Sequence, residues 1–509
     1  MYATHPRNSL WSGVMIPITA RTLPDLAGTI SVPSYRRSEI STGIVHFGVG
    51  GFHRAHQARY LDLLHEAQAA PDWGICGVGV LPADRRMRDA LATQDGMYTL
   101  CVAAPDGAWT PRVVGSIVEY HWAPEDPETV IERLAAPGTR ILTLTITEGG
   151  YNCTPEGEFD VDHPAIRADL APDAMPGTVF GLVAEALARR RARGLRPFTI
   201  VSCDNIAGNG RIARASFTAF ARLRDPELAR WLSAEGAFPN SMVDRITPVT
   251  TEPMRAELAR RFGVDDSWPV LTEPFTQWVL EDEFPLGRPD LDRVGVQLVG
   301  DVAPYELMKL RLLNGSHQAL AYLGHLAGYR LVHEAAADPD FAGFLSRYMA
   351  TEALPTLPPV PGIDLVAYRR ELLVRFGNAA IGDTIARLGA DASDRIPKWV
   401  LPVISDRLAG EGEIACAATV VAGWARYCTG VDEQGEPIEI VDPLRDRLRE
   451  LAAREEWEPG AFLSERTLFG TLGEQPRFVA AYRKALQSLR TRGARATVRE
   501  LAAGHPVSP

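Results

Sequence analysis

Within Tyr305 to Gly324, YELMKLRLLNGSHQALAYLG, Lys309, Asn314 and His317 stand in a Lys-x4-Asn-x2-His spacing, with Glu306 three residues before the lysine. The chain has 53 basic residues among its 509, yet only Lys309, Lys398 and Lys484 are lysines; the rest are arginines. Arginine serves wherever a positive charge is all that is needed. A guanidinium does not release its proton at working pH, whereas a desolvated ammonium can. A lysine retained at 309 therefore points to an amine that must become neutral, as a general base does. Its ordinary pKa near 10.4 would have to fall for that role. At 3.6 residues per turn, Glu306, Lys309, Asn314 and His317 share an arc of about 140° on one helix face, Glu306 and His317 nearly eclipsed. A base, an amide donor and an imidazole can then converge on one substrate oxygen. A single lysine or histidine is more often a helix-end or satisfied core residue; the cluster and the scarcity of lysine favour chemistry.

A second constellation lies near the N-terminus. In HFGVGGFHRAH a short β-rich run, Ile44 to Phe47, passes through Gly48, Gly50 and Gly51 into a helical stretch. Bare glycine amides at a helix start suit a dinucleotide pyrophosphate, so Gly48, Gly50, Gly51, Phe52, His53 and Arg54 are candidate cofactor contacts. His53 replaces the third glycine of the usual fingerprint. Asp84, just past the apolar run 75–81, could hold ribose hydroxyls. Arg85 and Arg86 follow it and could accept a 2′-phosphate, so NAD is expected and NADP stays open. Alternatively Asp84 only caps a helix starting near Arg85. Asn205 and Asn209 in VSCDNIAGNG follow another apolar run, at an edge where α/β sheets bind ligands. Asp244 and Asp282 are isolated acids between which the sequence does not choose.

These residues need elements to position them. Apolar runs at 73–80, 140–147 and 197–205 alternate with helical patterns, predicting a mostly parallel, doubly wound α/β sheet. Beyond about residue 300, amphipathic stretches at 305–328, 339–354, 365–376 and 474–490 predict a mainly helical region. LPTLPPVPG, 354–362, is read as an ordered connection between helices. The expectation is a Rossmann-type domain over 1–300 and a helical substrate domain over 301–509, with the active site in the cleft between them.

Composition narrows the function. At 46% hydrophobic residues the chain can bury more than one core. A net charge of −11 disfavours nucleic acid and anionic membranes, leaving a small molecule as the expected partner. Six cysteines without a CxxC pair or a metal-finger spacing read as buried thiols in a reducing compartment, without structural disulfides. The N-terminal stretch, with Arg7 and Arg21, has no unbroken apolar run, and no later run approaches the ~18 residues of a membrane span. A cytoplasmic protein is expected.

Taken together, GVGGFHRAHQARY, WGICGVGVLPADRRM, LTLTITEGGY, VSCDNIAGNG, FPNSMVDRITP, EPFTQWVLEDEF, YELMKLRLLNGSHQALAYLG and DRIPKWVLP resemble the polyol-specific long-chain dehydrogenases, the mannitol 2-dehydrogenase and fructuronate reductase type, from about residue 40 to 490. The resemblance implies a metal-independent, NAD(P)-linked oxidation of a secondary alcohol, with D-mannitol and D-fructose the expected pair. It implies that Lys309 is the catalytic base and that Asn205 and Asn314 are oxyanion-hole amides. His317 would position the substrate, Glu306 relay the proton, and Asp244 be a further active-site acid. Arg387 would contact substrate, and Arg395 stands where mannitol-type members can have lysine. Ala83 departs from a Glu-Asp pair that enforces NAD in some members. Relatives acting on fructuronate, tagaturonate, arabinitol or sorbitol share the main motifs. Family members are often monomers, so a monomer is expected.

Overall fold

In the run TGIVHF, Val45 and Phe47 point to one face while Ile44 points to the other, and all six residues are buried. A strand covered on both faces belongs inside a layered sheet. The computed structural model describes residues 13–67, 70–154, 157–172 and 174–505; Arg7 lies outside them. β1 (Thr42–Phe47) is the centre of a five-stranded parallel sheet with β2 (Gly74–Gly79), β3 (Ile117–Trp122), β4 (Ile141–Leu144) and β5 (Thr199–Ser202). The order is β3-β2-β1-β4-β5, so the winding reverses between β1 and β4. Their carboxyl ends form the switch point at which open α/β sheets take ligands. Val45, Phe47, Leu142, Leu144 and Ile200 pack under the helices Pro127–Ala135, Val179–Ala192 and Asn209–Arg224. Ile44, Ile75 and Val201 pack on the opposite face with Tyr60, Leu61 and Trp278.

β3 escaped the sequence reading. Its residues IVEYHW are only partly buried after Ile117, because β3 is the sheet edge, where charged side chains such as Glu119 blunt further pairing. Two small sheets also went unread. Ser241–Asp244 pairs antiparallel with Gln277–Glu281, and Tyr98–Ala103 with Trp109–Val114. Each small sheet gains a third, parallel strand, Gln297–Val299 and Val270–Thr272 respectively.

By internal contacts the chain divides between Ala303 and Pro304, with residues 105–107 falling to the later unit. That unit is helical. Ala415–Tyr427 is buried almost all round, the mark of a central helix, and packs against Pro476–Ala502, which bends at Gly493 (φ 81°). The buried carboxylate of Glu352 accepts from the N–H groups of Cys416 and Ala417 (2.6 and 2.8 Å), satisfying amides at the start of that central helix. The proline-rich 354–362 runs as an ordered connection from Leu354–Thr356 towards Leu365–Phe376. Among the described residues no helix is long and apolar enough to cross a membrane.

Candidate active site

Gly48 ends β1 with φ +92°, and a Cβ there would lie 2.0 Å from the Thr145 carbonyl oxygen at the end of β4. Only glycine lets the two strand ends approach so closely. Gly50 and Gly51 differ. Gly50 has an ordinary φ of −89°, and a Cβ at 50 or 51 would meet nothing nearer than 3.9 and 3.6 Å. The fold does not require their bareness, which leaves open main chain at the switch point, as close approach of a pyrophosphate would need.

A buried network supports this turn. Thr145 Oγ1 donates to the Gly48 carbonyl (2.6 Å), so it accepts from His46 Nε2–H (2.9 Å), and Thr143 Oγ1 donates to His46 Nδ1 (2.7 Å). His53 stacks on His46 with ring centroids 3.4 Å apart. Burial holds His46 down at about 3 and His53 well below the ordinary range. Arg54 turns inward, donating to the carbonyls of Gly50 and Trp268. Phe52 stacks on His56, where the helix breaks between Gly51–Ala55 and Gln57–Ala67.

Asp84 Oδ2 accepts from the N–H groups of Val80 and Leu81 (2.9 and 2.8 Å). It shapes the loop after β2 and makes no side-chain cap on the helix Arg85–Ala92. Arg85 and Arg86 are exposed and stand over Trp122 and Trp268. After β5 the two asparagines separate. Asn209 is fully buried and ties Asp204 O to both main-chain groups of Ser241, whereas Asn205 is exposed at the strand end. Asp204, which the sequence reading passed over, accepts from Thr147 N–H (2.8 Å), Ile146 N–H (3.2 Å) and Tyr151 O–H (2.8 Å). It thereby joins the loops after β4 and β5; burial raises its pKa. Asp282 is exposed and held bidentately by Arg288 (2.7 and 2.9 Å), while Asp244 is buried in its strand. Of the two acids, Asp244 is the one set apart from solvent.

In the helical unit the structure alters the helix-face reading. Ala303–Met308 is α-helical, Lys309–Asn314 is a π turn, Gly315–Ala319 is α-helical again, and Leu320–Gly324 is a second π turn. A strict α-helix would splay Lys309 and Asn314 to the two limits of the 140° arc. With i→i+5 bonding, residues five apart stand about one turn above each other, so the π turn draws Asn314 over Lys309. Gly315 N–H bonds to the carbonyls of Leu310 and Leu312, and the Arg311 carbonyl accepts from Tyr348 O–H (3.3 Å). A Cβ at 315 would lie 2.4 Å from that hydroxyl. Lys309, Asn314 and His317 are buried and Glu306 half-buried. His317 leans on Phe376 (centroids 4.9 Å).

Arg387 and Arg395 are both engaged. Arg387 is paired with Asp383. Arg395 Nη1 donates to the carbonyls of Arg387 and Leu388, Nη2 lies 3.4 Å from Asp391, and the guanidinium stands over Trp399. Cys76, Glu119 and His121 place possible metal-ligating atoms within 4.8 Å of one another, but Glu119 already accepts from Arg133 (2.7 Å) and Thr42 (2.9 Å). A nearby guanidinium opposes a cation there.

Comparison with known proteins agrees with both halves. The mannitol dehydrogenase Rossmann domain matches residues 42–293, and the mannitol dehydrogenase C-terminal domain matches 301–490. The chain is 46% identical over 478 residues to the mannitol 2-dehydrogenase of Phaeosphaeria nodorum, covering 93% of this chain and 84% of that one. It is 45% identical to that of Aspergillus fumigatus, covering 93% and 97%. Among solved structures, the Pseudomonas fluorescens mannitol 2-dehydrogenase ternary complex with NAD and D-mannitol superposes with TM-score 0.87 at 45% identity, covering 96% of this chain and all of that one. A substrate-free D-sorbitol dehydrogenase superposes with TM-score 0.87 at 38% identity, covering 94% and 99%.

Proposed function

The chain belongs to the mannitol dehydrogenase family, and from that premise we propose that it is an NAD-dependent mannitol 2-dehydrogenase interconverting D-mannitol and D-fructose. The observation that carries the reading is Lys309, buried on a π turn with Asn314 one turn above it. It occurs in a chain 45% identical, along nearly its whole length, to an enzyme crystallised with NAD and D-mannitol. Residues 1–300 serve the cofactor in this reading and 301–509 the substrate.

The bared main chain at Gly50 and Gly51 would take the pyrophosphate, and the loop shaped by Asp84 the adenosine ribose. When bound, the oxidised cofactor supplies the hydride acceptor. Lys309 takes the proton from the alcohol hydroxyl; its burial makes a permanent charge costly and suits an amine that cycles through its neutral form. Asn205 and Asn314 donate to the oxygen as negative charge develops, His317 orients the same oxygen, and Glu306 passes the proton onward. Asp244 and Arg387 bind the remaining hydroxyls, with Arg395 beside them. The protein acts in this reading as a cytoplasmic monomer, and light scattering tests the monomer.

The experiment is NAD reduction followed at 340 nm with D-mannitol and its reversal with D-fructose, each repeated with the phosphorylated cofactor. Turnover of mannitol and fructose is expected. Activity confined to sorbitol or arabinitol would leave the chemistry standing and overturn the substrate.

A further inference from the structure

The segment IGDTIARLGADASDRIPK has three cations, and each has an acid four residues before it: Asp383 and Arg387, Asp391 and Arg395, Asp394 and Lys398. The structure closes all three, Asp383 from just before the N-cap Thr384, Asp391 from the N-cap of Ala392–Trp399, and Asp394 within that helix. They are not equivalent. Asp391 and Asp394 are about half exposed, whereas Asp383 is buried, and both its oxygens are taken by one guanidinium. Arg387 Nε donates to Oδ1 (2.6 Å) and Nη2 to Oδ2 (2.5 Å). Asp383 is fixed in turn, with Oδ1 accepting from Thr384 N–H (2.9 Å) and its carbonyl from Val332 N–H (2.9 Å). The arginine itself remains half exposed.

Arg387 also belongs with the Lys309 helix. Its short helix, Ile385–Gly389, is held by Gln318 Nε2, which donates to the Leu388 carbonyl (3.2 Å). Gln318 directly follows His317. A guanidinium presented there, with its charge already met by a buried carboxylate, suits an uncharged ligand. A carboxylate arriving at Arg387 would also meet the negative charge of Asp383, and like charges brought together at a binding surface discriminate against the charged ligand.

We propose that Asp383 is a positioning residue that orients Arg387 and, by cancelling its charge, reserves the site for neutral polyols and ketoses against sugar acids. This rests on the reading of Arg387 as a substrate contact in a polyol dehydrogenase.

The test is kcat/KM for NADH oxidation with fructose and with its carboxylate counterpart, fructuronate, in the unaltered enzyme, Asp383→Asn, Asp383→Glu, Arg387→Gln and the Asp383→Asn/Arg387→Gln pair. The unaltered enzyme should favour fructose. Asp383→Asn should raise the fructuronate-to-fructose ratio about two- to fivefold, the scale of one partly exposed charge contact. Asp383→Glu should leave the ratio near its starting value, and Arg387→Gln in either background should show no gain. If Asp383→Asn is poorly folded by its melting curve, Arg387→Gln decides: it must depress fructose turnover, and an unchanged value overturns the proposal. An Asp383→Asn enzyme weakened equally on both substrates would make the residue merely structural and also overturn it. Absence of turnover by the unaltered enzyme on either ketose would instead bring down the underlying polyol dehydrogenase reading.

Discussion

On the proposed reading, the Rossmann unit offers a ligand main chain, bared at Gly50 and Gly51 on a turn that only Gly48 can make, and the helical unit offers it side chains, with Lys309, Asn314 and His317 drawn to one face by a π turn. The two designs fail differently. A main-chain site tolerates changes in side-chain chemistry but not an added Cβ in the wrong place. A side-chain site depends on the identity of a few groups and on helical register. In both, a neighbouring element sets the shape: Thr145 closes on Gly48, and Tyr348 takes the Arg311 carbonyl.

The sharpest way to break the contrast is Lys309→Ala. It should lower kcat by roughly 10³ to 10⁴, the scale of a lost general base, and leave NADH affinity within about twofold. Stopped-flow turnover and fluorescence titration measure the two. A loss below about tenfold would take the base role from Lys309, and Lys309→Arg should fare no better than the alanine variant.

Next come the glycines. Gly48→Ala should destabilise the fold by about 3 kcal/mol or more, since it combines a positive φ with a backbone clash. Gly51→Ala should leave the melting temperature nearly unchanged yet weaken NADH binding by about tenfold, or ~1.4 kcal/mol. If Gly51→Ala binds NADH normally, the bared main chain is not the cofactor surface.

The smallest effect is a pH dependence of the Rossmann unit. His46 is held at about 3, His65 at about 4 and His53 well below its ordinary range, each chiefly by burial. Because these values lie below that of an unfolded histidine, about 6.5, the unfolded chain takes up the protons first. The stability they confer is present above that pH and is lost as pH falls from there towards about 3. Differential scanning calorimetry should show a melting temperature falling by a few degrees between pH 7 and 5. His53→Phe, which keeps a ring against His46, should make the fall shallower. An unchanged slope would show that the stacked pair does not govern the acid response of the main-chain site.

Much of the frame was legible in the chain. Four of the five sheet strands are apparent as short apolar runs, because strands buried on both faces are mainly apolar; edge strand β3, which meets solvent, is not. The α/β class with a helical C-terminal region follows from the same patterns and is the fold observed. The Lys-x4-Asn-x2-His spacing, the retained lysine and the glycine turn were likewise visible. The acid four residues before Arg387 is visible too, but its pairing depends on the turn that sets Asp383 ahead of the N-cap Thr384.

What the sequence by itself determined was which residues could do chemistry and the order of the elements that carry them, because residue type, hydrophobic period and local spacing are properties of the chain alone. Tertiary structure decided how these residues are surrounded. It buried Asn209 against Ser241 and turned an α-helical arc into a π turn that sets Asn314 over Lys309. The physical reason is common to both. Hydrogen bonds and ion pairs are settled by groups far apart in sequence or by the register of a helix against its neighbours, and neither a 3.6-residue period nor a motif specifies where the Tyr348 hydroxyl will arrive.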